Sequence, residues 1–164
     1  MATWTCPECD RRFSARGRGH ICKPGTTIDE LAERSIPTFR PIVERVREHL
    51  ESLPPLDDEL IVDPLDSLVQ FKHRKVFAMV RPMTKWSAVA FHLDRRVESD
   101  RLSRKVVDQG GVFHHVVNVH TVEELDEQLL EWLTEAYDPS LVDRQARPSA
   151  DDPMVPDDVD ADLW

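Results

Sequence analysis

Apolar side chains recur at helical spacing through Phe39, Ile42, Val43, Val46 and Leu50, which predicts a helix from Thr38 to about Leu53, terminated by Pro54-Pro55. Just upstream, Thr27 is followed three residues later by Glu30. That capping-box pattern opens a short helix from Thr27 to Arg34, stopped at Ile36-Pro37. The period then changes. Leu68–His73, Val76–Arg81 and Trp86–Leu93 read as strands, joined by Arg74-Lys75 and by Pro82-Met83-Thr84-Lys85, and links this short suit antiparallel hairpins. The middle run is apolar at nearly every residue, as an inner strand should be.

Glu98 to Asp108 carries only a weak stripe (Leu102, Val106, Val107) and is expected to be a helix broken by Gly110-Gly111. Val112–Val119 gives a fourth strand. Thr121, with Glu124 in capping-box position, opens a helix lined by Val122, Leu125, Leu129, Leu130, Leu133 and Ala136 and ending near Tyr137. The order implies a two-layer α+β domain over residues 27–137, with a mainly antiparallel sheet of about four strands packed on helices.

Composition adds a charge asymmetry. The 164 residues are 40% hydrophobic and 32% charged, with a formal net charge of -10, ordinary for a soluble protein. Residues 1–23 nevertheless hold five basic groups against Glu8 and Asp10. Residues 138–164 hold eight Asp against Arg144 and Arg147 and lack periodicity, as expected of a disordered acidic tail. A local contact with something anionic fits this distribution better than a chain coated in nucleic acid.

The basic end also carries all three cysteines. Cys6-Pro7-Glu8-Cys9 and His20-Ile21-Cys22 form C-x2-C-x10-H-x-C within residues 1–24, a segment too short to bury a core. Four S and N ligands are what a structural tetrahedral zinc site takes, and in a knuckle- or ribbon-like module this small the ion would supply most of the folding energy. Asp10 is an available oxygen ligand in place of His20. The competing reading, one disulfide and a free thiol in a secreted chain, conflicts with the odd cysteine count and with the lack of a signal-like or membrane-length apolar run. A cytoplasmic protein is expected. Four candidate ligands leave no open position for a reacting water, so Zn2+ here is read as structural.

Signals for a reaction are weak. No dinucleotide, Walker or nucleophile-elbow motif occurs, and five glycines leave little for phosphate loops. His73, His92, His114, His115 and His120 fall on or beside strands, but His114 and His115 must face opposite sides of theirs and cannot share one metal. A nuclease core of the Asp…(Asp/Glu)-x-Lys kind would draw on Asp63 and Asp66, yet Gln70-Phe71-Lys72 sets an amide where the second carboxylate belongs. This metal-dependent nuclease is the alternative to a non-catalytic binding module. For binding, Arg11, Arg12, Arg16 and Arg18 beside Trp4 and Phe13 resemble the basic-plus-aromatic surface with which zinc knuckles hold nucleic acid. Lys72-His73-Arg74-Lys75 forms a second basic cluster at a hairpin tip. A protein partner is the competing expectation. Nothing indicates a membrane or an organic cofactor.

One further likeness is carried by Leu68-Val69-Gln70-Phe71-Lys72, by Lys75 to Pro82, by Gly111-Val112-Phe113-His114-His115-Val116-Val117, and by Val122 to Asp126 with Trp132-Leu133 and Glu135-Ala136-Tyr137. This ordered set, over about residues 38–137, resembles a bacterial family known only as domain of unknown function 5655. Its members often carry a C-x2-C…H-x-C segment in front. The resemblance implies a metal-bearing segment before an α+β domain and brings no catalytic residues with it.

Overall fold

The computed structural model describes residues 3–17, 19–23 and 25–141. The expected acidic tail lies almost wholly outside them. The described residues form two sheets and three α-helices. β1 (Trp4–Thr5) and β2 (Arg12–Phe13) form a small antiparallel ribbon. Then come α1 (Ile28–Glu33) and α2 (Phe39–Ser52). The main sheet follows, from β3 (Ile61–Pro64), β4 (Val69–Lys72), β5 (Val76–Pro82), β6 (Ser87–Leu93), β7 (Val107–Asp108) and β8 (Phe113–Val119). α3 (Glu127–Tyr137) closes the domain, with single 3-10 turns at Val122–Glu124 and Pro139–Leu141.

The main sheet is antiparallel throughout, in the order β3-β4-β5-β6-β8-β7. Alternation sorts its side chains. Val69, Phe71, Val80, Val89, Phe91, Val117 and Val119 point to the face covered by helices, where they meet Phe39, Ile42, Val46, Leu129 and Leu133 in one core. The other face holds a smaller cluster of Leu68, Met79, Ala88, Ala90 and Val116. The helical stripe read in α2 is the buried one: Phe39, Ile42, Val43, Val46 and Leu50 are all inside. In α1 the capping box forms as expected, with Thr27 accepting from the Glu30 N–H and the Glu30 carboxylate accepting from the Thr27 N–H.

The sheet has six strands, not about four. β3 is a four-residue edge strand containing Asp63 and ending in Pro64, too short and too polar to announce itself by alternation. Pro64 has no N–H to donate, which only an edge position tolerates.

The helix expected over Glu98–Asp108 does not form. Instead Leu102 bridges to Val117, the Ser103 N–H donates to the Val116 carbonyl, and β7 pairs with β8. The outer edge of β8 needs backbone partners, and a weakly amphipathic segment gains more by supplying them than by coiling. The helix expected from Thr121 starts later. Thr121 makes no side-chain cap, while Asp126 caps α3 by accepting from the Leu129 N–H. Thr38 likewise precedes α2 without a side-chain cap bond.

Candidate metal centre and its seat on the sheet

Two backbone turns build the N-terminal site. In Cys6-Pro7-Glu8-Cys9 the chain folds back so that the Asp10 N–H donates to the Cys6 carbonyl (2.9 Å) and the Cys6 N–H to the Arg11 carbonyl (3.0 Å). Asp10 adopts a left-handed φ of 55°, a conformation a short polar side chain tolerates. Gly17 has φ 77° on the return that carries the chain back to His20 and Cys22. Phe13 and Trp4 pack on Cys6 and Cys9, and the Phe13 ring lies 4.3 Å from that of His20.

The result is one cluster. Ligand atoms of Cys6, Cys9, His20 and Cys22 all lie within 4.8 Å of one another, so the four can hold a metal ion. Cys6 Sγ and Cys22 Sγ are 3.7 Å apart, and Cys9 Sγ and His20 Nε2 are 3.4 Å apart. These are not disulfide separations. Both match the edge lengths of a tetrahedral site, for metal–sulfur bonds of about 2.3 Å and metal–nitrogen bonds of about 2.0 Å give edges of roughly 3.8 and 3.5 Å. Asp10 is not among the ligand group.

In the metal-free cluster the thiols do not ionise together. Desolvation opposes ionisation of Cys6, but the Glu8 and Cys9 backbone N–H groups and the neighbouring thiols bring it down to about 7. Desolvation, with Cys6 and Cys9 alongside, pushes Cys22 up to about 12. Three thiolates this close repel one another unless a positive ion lies between them.

The module sits on the edge of the main sheet, with β2 against β3. Arg11 reaches across it: Nε donates to Asp63 Oδ1 (3.2 Å) and Nη2 to Asp63 Oδ2 (2.8 Å). From β4, Lys72 Nζ donates to the same Oδ2 at 2.5 Å, and its ammonium lies 4.5 Å from the Phe13 ring centroid. Asp63 is 4% exposed. Burial alone would raise its carboxyl, but hydrogen bonds and charge from Arg11 and Lys72 win and hold it below the usual carboxylate range. Asp63 itself raises Arg11, with the Cys9 and Cys22 sulfurs adding to the effect.

Of the four arginines expected to face an anion, Arg11 is thus engaged inside the protein and Arg12 pairs with Glu59 at 2.7 Å on the surface. Arg16 is exposed. Arg18 lies outside the described residues. No signal in the sequence links Arg11 to Asp63, which stands 52 positions away.

Residues 28–140 match the family described as Domain of unknown function (DUF5655). The chain belongs to this family. No curated protein and no solved structure matches it.

The Cys/His cluster precedes the DUF5655 domain, and its ribbon strand β2 docks on the domain's first strand. Within the DUF5655 domain the histidines separate. His92 and His114 meet across β6 and β8, Nε2 to Nδ1 at 2.8 Å. The Val76 carbonyl can only accept, so His92 Nδ1 carries its proton toward it (3.0 Å) and leaves Nε2 to take the His114 Nδ1–H. His115 faces the opposite side, as alternation requires. It stacks on Phe91, and its Nε2 accepts from the Val97 N–H at 2.9 Å. His73 stacks on Phe77, and His120 lies against Trp86. The nuclease alternative needs Asp63 as a metal ligand, yet both its oxygens are occupied by Arg11 and Lys72. Arg34 donates to the Asp66 backbone carbonyl, and no side-chain contact of Asp66 with Asp63 is seen among the described residues. No helix among those residues is long and apolar enough to cross a membrane.

Proposed function

We propose that this protein is a non-catalytic zinc-binding module: Zn2+ on Cys6, Cys9, His20 and Cys22 folds the N-terminal segment, and the surface it creates beside the DUF5655 domain binds single-stranded nucleic acid. The observation that carries the zinc reading is the convergence of three sulfurs and one imidazole nitrogen to within 4.8 Å of one another. Thiolate-rich, four-ligand sites suit zinc and leave no position for a reacting water.

Support for nucleic acid comes from the meeting of two basic segments far apart in sequence. A cleft of about 200 Å³ between module and β4–β5 turn is lined by Phe13, His20, Lys72, His73, Arg74 and Lys75, among others. Aromatic faces beside cations are how single strands are held without sequence readout. Arg11 and Arg12 are tied to carboxylates and Arg74 pairs with Asp58 (2.9 Å), so the contact falls to exposed Arg16 and Lys75. Ile21, 76% exposed beside Cys22, favours a second reading in which the module docks on a protein.

Fluorescence anisotropy with short single-stranded and duplex oligonucleotides at two salt concentrations separates the two. Binding should weaken steeply with salt, and Arg16→Ala or Lys75→Ala should each lower the log–log salt slope by about 1. Removing the acidic residues 142–164 should tighten binding. If that shortened form binds no oligonucleotide at low salt, the nucleic-acid reading fails and the protein-docking one stands.

A further inference from the structure

The docking contact and the metal centre balance each other's charge. Arg11 and Lys72 bring two positive charges to one buried carboxylate, Asp63, and the trio carries +1 in a nearly dry seam: Lys72 and Asp63 side chains are 9% and 4% exposed. A charge left uncompensated in such a place is strongly unfavourable. Three thiolates, one neutral imidazole and a divalent ion together carry −1. They lie close to the same two cations: Phe13 stands against both Lys72 and His20, and Arg11 Nη1 donates to the Ile21 carbonyl next to Cys22 (3.4 Å).

The geometry points to a metal-gated latch: the loaded Cys3His centre is the counter-charge that seats the N-terminal module on β3, and loss of the ion unseats it. Without the ion the four ligand side chains have nothing to hold them together, and the turn that carries Arg11 to Asp63 loses its anchor. Release uncovers β3, whose outer edge is otherwise shielded by the module. It also returns Arg11 to solvent. The latch rests on the centre binding a divalent ion but not on any nucleic-acid contact. A coupling between two sites is reciprocal, so whatever the ion contributes to docking, docking contributes to ion affinity.

The test uses the full chain loaded with Zn2+, bound metal being measured directly at each step. Hydrogen exchange is followed before and after a strong chelator. Removing the ion should accelerate exchange at the β3 amides of Ile61, Val62 and Asp63 and at Cys6 and Asp10, while β5, β6 and β8 stay protected. With Zn2+ bound, Asp63→Asn should reproduce the β3 acceleration, because Arg11 loses its carboxylate partner. Lys72→Met keeps the strand and most of the bulk but removes one of the two cations facing the centre, and it should lose Zn2+ to a competing chelator about tenfold more readily, within the 5- to 150-fold range of ordinary couplings. Unchanged β3 exchange in demonstrably metal-free protein overturns the latch, as does unchanged Zn2+ affinity in Lys72→Met. A chain that takes up no Zn2+ overturns the metal reading itself, a result distinct from either.

Discussion

Cys9→Ser is expected to remove the bound ion and unfold the first 25 residues while the DUF5655 domain stays folded. Zinc binding in modules of this size is worth about 10–16 kcal/mol of apparent free energy at neutral pH, far more than Trp4, Phe13 and two cysteines can supply by burial. Serine is a poor ligand and leaves three. The effect should stay local because the module's small cluster of Cys6, Cys9, Phe13 and Trp4 is separate from the core built by α2, α3 and the sheet. Elemental analysis should find about one zinc per wild-type chain and none in the variant. Amide exchange should show Cys6 and Asp10, bonded across the knuckle turn, losing protection while Val89 and Val117 keep it. One equivalent of zinc retained in the variant, or knuckle amides just as protected, would sink the staple.

Acid should destabilise the domain through His114 and His115. Each is pulled down to about 4 from an ordinary 6.5, first by burial; for His114 the nearby His92, His115 and Arg104 charges add to it, and for His115 Arg95 and Arg96 add while backbone hydrogen bonds oppose. Both are neutral in either state above about pH 7, so they contribute nothing to pH dependence there. As pH falls below 6.5 the unfolded chain takes up protons that the native one refuses, and stability is lost until about pH 4. A shift of this size is worth on the order of 3 kcal/mol per histidine, less whatever the native structure recovers by opening. The structural reason is specific: His115 Nε2 accepts from the Val97 N–H, so protonating it repels the loop after β6. Urea midpoints should drop markedly between pH 7.5 and 5, and the imidazole resonances of both residues should keep their neutral positions at pH 5. Resonances that titrate near 6.5 would show the two rings to be wetter than the structure has them.

Much of the fold was legible along the chain. α2 and the strands at 69–72, 76–82, 87–93 and 113–119 follow the apolar periods closely, because each buries one face against the same core. The capping box at Thr27 formed because cap and carboxylate are three residues apart, and nothing distant competes for them. The failures lie where a segment's partner is remote. Leu102, Val106 and Val107 resemble a thin helical stripe, but the exposed edge of β8 recruits that segment as a strand. Thr121 and Glu124 have the spacing of a cap, yet the Glu124 carboxylate accepts from the His120 N–H and the helix waits for Asp126.

By itself the sequence pointed to the four residues that the fold brings together and to most of the local elements. Cys6, Cys9, His20 and Cys22 are a chelating pattern whatever surrounds them, and periodicity of 3.6 or 2 expresses which face each element must bury. Only the tertiary structure decided that Arg11 and Lys72 share Asp63, that β3 exists, and that His92 meets His114 while His115 looks the other way. Those pairings join residues from 9 to 52 positions apart, and they depend on strand register and on where the module lands. Both are settled by the summed burial of the whole core, a quantity no short window of sequence contains.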